Sequence, residues 1–147
     1  MKIEGQFAFA GTSTSTLWGF LTDANRIAEC LPGCESLEQT GEGTYNLQLR
    51  FGVGSISGVF KGSIRLSDLQ PPSQYKMTVA GRGAPGFVNG EGTVQLAEDG
   101  STTQLRYAGD VNAGGLIASV GQRMIGGAAR MVIDQFFKCV AGKMGSL

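Results

Sequence analysis

The side chains that could do chemistry in this chain are few, and their types narrow the possibilities at once. None of the 147 residues is histidine. Histidine is the commonest general base and the commonest transition-metal ligand. A Ser-His-Asp triad, a Cys-His pair and a histidine-bound zinc are therefore excluded. The cysteines are Cys30, Cys34 and Cys139, and the first two flank Leu31-Pro32-Gly33. That spacing is neither a Cys-x-x-Cys redox motif nor half of a zinc ribbon. All three are expected to be reduced structural thiols in a cytosolic protein, with a disulfide in an exported form as the alternative. Any acid or base must then be Glu, Asp, Tyr, Lys or Cys. Glu91, Asp110 and Arg123 fall on outward faces of the elements set out below, where a charge is simply solvated. Tyr75 and Tyr107 fall on the inward face, where a phenol can orient a polar group by hydrogen bonding. These residues suit binding better than catalysis, and no metal or cofactor is expected.

Charge and length agree with that. Twelve Lys and Arg balance twelve Asp and Glu, which argues against a nucleic-acid binder with a basic stripe. Charged residues make up 16% and apolar residues 41%, enough core for a single domain over residues 1–147. The first twenty residues lack a signal peptide's apolar block, and no apolar run reaches the ~18 residues of a membrane span.

The elements that must position these residues follow from periodicity. Residues 2–9 alternate, with Ile3, Phe7 and Phe9 on one face. Thr12 or Ser13 can cap a short helix carrying Leu17, Trp18, Phe20 and Leu21, and Asp23 can cap a second through Ile27 and Cys30. From there to about residue 113 the period is two, with turn chemistry at Pro71-Pro72 and Glu98-Asp99-Gly100. Five or six strands in an antiparallel meander result. The tail, about 115–144, reads as one long helix. Its apolar stripe of Ile117, Val120, Met124 and Met131 is rotated away from that of Ile133, Phe136, Phe137, Val140 and Met144. A bend near Gly126-Gly127, or burial on more than one side, accounts for the rotation.

Glycine supplies 24 residues, and Gly58, Gly62, Gly90, Gly92 and Gly109 lie on the inward strand face. Glycine inside a strand weakens it and needs a reason. It can let a sheet bend, let a helix come close, or leave volume for a ligand. The last reading predicts a cavity lined by Phe60, Tyr75, Met77, Val94, Tyr107, Ile117, Val120 and Met124, with Phe87 in a mobile mouth loop at 83–87 near the short helices.

Several segments then resemble a known family. Leu31-Pro32-Gly33-Cys34-Glu35-Ser36-Leu37-Glu38 is similar to the Leu-Pro-Gly-Cys signature of the G-subunit family of carbon monoxide dehydrogenase. So are Gly52-Val53-Gly54-Ser55-Ile56-Ser57-Gly58-Val59-Phe60-Lys61-Gly62 and Gly83-Ala84-Pro85-Gly86-Phe87-Val88-Asn89-Gly90, and the passage from Leu105 to Phe137. The resemblance implies a helix-grip fold of the START and Bet v 1-like superfamily, an α+β domain in the order β-α-α-β-meander-α. About seven antiparallel strands would wrap a long C-terminal helix around an apolar cavity. It implies an accessory protein to a molybdenum hydroxylase of the carbon monoxide dehydrogenase type, with an isoprenoid quinone or lipid as ligand. Members of the family carry membrane-binding tails, whereas this sequence ends at Leu147, so a built-in anchor is not expected. The location implied is cytoplasmic, peripheral at the inner face of the membrane. Two other functions compete. One is an adaptor that recruits such an enzyme without a ligand, through an outward strip of Arg50, Lys61, Arg65 and Arg106. The other is an enzyme acting on a small molecule in the same cavity.

Overall fold

The computed structural model describes residues 1–145. The chain runs β1 (Lys2–Ala10), α1 (Thr14–Leu21), α2 (Ala24–Cys30), β2 (Cys34–Gly41), β3 (Thr44–Val53), β4 (Ile56–Gln70), β5 (Gln74–Gly83), β6 (Gly86–Asp99) and β7 (Thr102–Gly114). A 3-10 turn (Leu116–Val120) and α3 (Gln122–Lys143) complete it. The seven strands form one antiparallel sheet in the order β1-β7-β6-β5-β4-β3-β2. The expected helix-grip architecture is thus observed, seven strands included.

Local sequence explains most boundaries. The Ser13 hydroxyl accepts the Thr16 amide at 3.2 Å and starts α1. The Asp23 carboxylate accepts the amides of Asn25 and Arg26 and starts α2. Gly33 (φ +75°) then turns the chain into β2, where a side chain would meet the Arg50 carbonyl. That carbonyl's own residue donates back, Arg50 N–H to Gly33 O at 2.8 Å. β2 has little residue signal of its own, because Leu37 is its only large apolar side chain.

Two expectations need correction. First, residues 115–144 are not one helix. The break falls at Gly121 (φ +93°), and Gly126-Gly127 lie inside regular α3. The break separates Ile117 and Val120, which pack into the interior, from Met124 and Met131, which share α3 with Phe137 but lie on its solvent face, 46% and 56% exposed. Second, Cys30 and Cys139 are joined in a disulfide, with Cα atoms 5.4 Å apart, and only Cys34 is free. The bond fastens α2 to α3.

The interior divides in two. The larger cluster joins α1 and the C-terminal half of α3 to one end of the sheet through Phe9, Leu17, Tyr45, Leu105, Phe137 and Val140. The smaller, at the opposite end, gathers Val53, Phe60, Ile117 and Ala128. Among the described residues no helix is long and apolar enough to cross a membrane.

Candidate functional site

Between the two clusters lies a cavity of about 300 Å³. Its floor is the inward face of β3 to β7, with Leu47, Leu49, Met77, Val79, Val88 and Val111. Its roof is Ala129, Val132 and Ile133 of α3. The helix comes closest to the sheet at β1 and β3, so it bridges the curved sheet and leaves the middle strands uncovered beneath it. The volume lies at the lower end of the ~300–1,000 Å³ usual for small-molecule sites.

The glycines now separate by role. A methyl added to Gly62 would strike the Ala80 carbonyl of the next strand, and one on Gly92 would stand 2.6 Å from the Ala108 carbonyl. Gly92 and Gly109 face each other across β6 and β7, and a methyl on either would stand 3.0 Å from the other's Cα. These three let neighbouring strands crowd together where the sheet bends. Gly81 and Gly90 are different, because a methyl there meets nothing closer than 3.7 and 3.5 Å. Both border the cavity, and their missing side chains leave its space open. Gly58 accommodates Pro85 of the β5–β6 turn. A methyl on any of these six glycines would have no atom of α3 among its three nearest neighbours.

Of the nine residues expected at the site, Phe60, Met77, Val94 and Tyr107 border the cavity, and five do not. Tyr75 is buried in the larger core cluster, edge-on to Trp18 at 5.4 Å. Ile117 closes the smaller cluster, with Val120 packed against it. Met124 faces solvent with its methyl over Gly54. Phe87 sits on the outer face of the sheet, with its ring over Gly114. The 83–87 loop and the short helices do not make a joint mouth. Pro85 accepts the Ile117 amide at one end of the sheet, whereas Thr14 of α1 meets Glu98 at the other. Sequence reasoning missed Ile3, Leu47, Leu49, Val79 and Val132. The alternation of β1, β3 and β5 places the first four on the inner face, and nothing in the pattern marks which inner positions lie under the gap.

The walls are almost wholly apolar. Glu91 and Asp110 border the cavity, yet their side chains are on the exposed outer face. Tyr107 alone brings a titratable side chain to the inner wall, its ring 5.9 Å from Phe137 and its hydroxyl over Gly5. Among the described residues no group of three or more Cys, Asp or Glu is placed to hold a metal.

The family model for the G subunit of carbon monoxide dehydrogenase (CoxG) matches residues 5–145. The chain belongs to the CoxG family. A conserved protein from Geobacillus kaustophilus shares 36% identity and superimposes with a TM-score of 0.93, covering 99% of this chain and 95% of that one. A START superfamily protein from Mycobacterium smegmatis superimposes at 0.72 with 13% identity, covering 97% and 95%. The Zhui aromatase/cyclase from Streptomyces sp. R1128 superimposes at 0.71 with 17% identity, covering 97% and 92%. The last two share the fold with this CoxG family member. No curated protein matches it.

The tyrosines of this CoxG family member give its fold a pH limit. Burial raises the phenols of Tyr75, Tyr45 and Tyr107 above their ordinary value of 10.0, Tyr75 most of all. For Tyr107 the Arg130 charge opposes the shift and Asp134 adds to it. A raised folded-state value means the native chain keeps protons that the unfolded chain releases. The contribution of these phenols to stability is therefore fully present below pH ~10 and is lost as pH rises past it. The Tyr75 phenolate absorbance is expected to appear only together with loss of the native circular dichroism signal. Reversible ionisation of Tyr75 in the folded chain would contradict its burial.

Proposed function

We propose that this chain binds a hydrophobic ligand, an isoprenoid quinone or lipid, in the sheet–helix cavity without transforming it. In this reading it serves as the accessory of a molybdenum hydroxylase of the carbon monoxide dehydrogenase type, and any membrane contact is peripheral. The observation that carries the reading is the hollow of about 300 Å³ between the two core clusters, walled by apolar side chains. Apolar groups entering it leave water, which is worth ~25 cal/mol per Å² removed. Side chains such as Ile3, Val79, Val111 and Val132 offer no acid, base or nucleophile, and this favours carriage over catalysis. Tyr107 is the wall residue that can donate a hydrogen bond to a ligand carbonyl, from the β1 side of the floor.

Denaturing mass spectrometry of the purified chain is expected to release an apolar molecule at near one-to-one ratio. The chain stripped of it should bind a short-tailed naphthoquinone, seen as changes in the methyl resonances of Met77 and Val79. Resonance changes confined to the exposed Met124 and Met131 would place binding elsewhere. No binding of either a quinone or a fatty acid by the stripped chain would end the proposal.

A further inference from the structure

Phe87 points out of the sheet, 37% exposed, and the row it belongs to is unusual. Across β3 to β6 that row reads Gln48, Lys61, Arg82, Phe87. Lys61 and Arg82 are thus directly opposed on neighbouring strands, and like charges in that position destabilise a sheet. Neither takes part in an ion pair among the described residues. The adjoining outer-face row, Asn46, Ser63, Ala80 and Asn89, brings no charge to relieve them. Arg50, on the diagonal from Lys61, is already engaged by the Glu35 carboxylate at 3.2 Å. A shallow groove runs between the two cations and is bordered by Phe87 and Asn89.

We propose that this row is a docking surface for an acidic segment of a partner protein. A carboxylate lies between Lys61 and Arg82, where it accepts a two-pronged hydrogen bond from the guanidinium, and a neighbouring apolar side chain covers Phe87. The pairing removes the repulsion that the sheet carries alone. The surroundings fit a bounded protein segment better than an anionic bilayer. Four residues along β6 from Phe87, the same face carries exposed Glu91 opposed to Asp110 across β6 and β7, in a row that also holds Arg65, so the positive charge at Lys61 and Arg82 is bounded and does not continue as the cationic plane an anionic bilayer would meet. The other large exposed apolar side chains, Leu69, Leu116, Met124 and Met131, belong to other rows and elements. The surface lies across the sheet from the cavity, so this inference stands apart from the ligand proposal.

The test is a titration of the isotopically labelled full chain with a short synthetic peptide of glutamates around one leucine. A glutamine version of the peptide and phosphatidylglycerol vesicles run in parallel. Amide shifts are expected at Ser63, Arg82, Phe87 and Asn89, fading with added salt and absent with the glutamine peptide. Arg82→Glu should weaken peptide binding by about tenfold or more, as loss of a partner in a charge pair does. The same change should raise the melting temperature, because it turns a like-charge pair into an opposite-charge one. Arg82→Gln should weaken binding too and gives the same readout if the first variant does not fold. Naphthoquinone binding in the cavity should be unchanged in both. Unaltered binding in the variants, an absence of shifts, or the same shifts from vesicles at lower concentration would overturn the proposal.

Discussion

Replacing Gly90 by leucine is expected to abolish the quinone binding proposed above and leave the fold intact. Gly90 lies on the inner face of β6 opposite Val111, and an added methyl there meets the Asp110 carbonyl at 3.5 Å and the Val111 side chain at 3.7 Å. Those are ordinary contacts, so the rest of the leucine extends into the cavity. It takes space from the ligand and fills space the protein leaves empty. Removing a strand glycine also relieves a conformational cost of roughly 0.5–1 kcal/mol. Affinity for a short-tailed naphthoquinone should fall by tenfold or more, about 1.4 kcal/mol or above. The melting temperature should hold or rise by a few degrees. Gly92→Ala, two residues along the same strand, should do the reverse. Its methyl would stand 2.6 Å from the Ala108 carbonyl, and backbone of a neighbouring strand cannot move aside cheaply. A loss of ~1–3 kcal/mol of stability is expected. Calorimetry and a binding titration on both variants decide the matter. Wild-type affinity in Gly90→Leu would place the ligand elsewhere, and wild-type stability in Gly92→Ala would contradict the crowding of β6 on β7.

The second large effect is that of the disulfide. Cys30 and Cys139 are 109 residues apart in sequence, and closing a loop that long restricts the unfolded chain strongly. Cys139→Ala, or reduction, should lower stability by ~2–5 kcal/mol. An ion pair between these helices, Lys143 to Glu29 at 3.8 Å, is half-exposed on both sides and adds little by comparison. The native fold should persist without the bond, since Phe137, Val140 and Ala141 still hold the end of α3 in the core. Thiol titration should find one free group, Cys34, in the native chain and three after reduction. An unchanged denaturation midpoint on reduction would show that the core alone fastens α3. In a reducing compartment the tie opens, so the chain's stability there is that of the reduced form.

Alternation along β1 and β3 to β7 assigned inner and outer faces correctly, down to Glu91 and Asp110 outside and Tyr107 inside. Thr12 or Ser13, of which Ser13 makes the cap, and Asp23 marked the two short helices because a cap is a contact between near neighbours. Tyr75 and Phe87 show where such reading stops. Parity puts Tyr75 on the inner face but does not say whether that stretch of the strand lies under α1 or under the gap. Phe87 has the outward parity of its strand, and expecting it at a cavity wall relied on its loop, not its register. The glycines were legible as a group and ambiguous singly, since Gly90 and Gly92 share a strand and a face.

The amino-acid order by itself therefore determined the succession of elements, the two faces of the sheet, the apolar character of any interior site and the lack of histidine chemistry. These depend on residue type and on contacts a few positions apart. The tertiary structure alone decided that Cys30 meets Cys139, that the terminal helix breaks at Gly121, and that the hollow lies beneath Ala129 and Val132. Each of those depends on the path of α3 across a bent sheet. That path is set by packing between residues more than a hundred positions apart, as Phe9 with Phe137 shows.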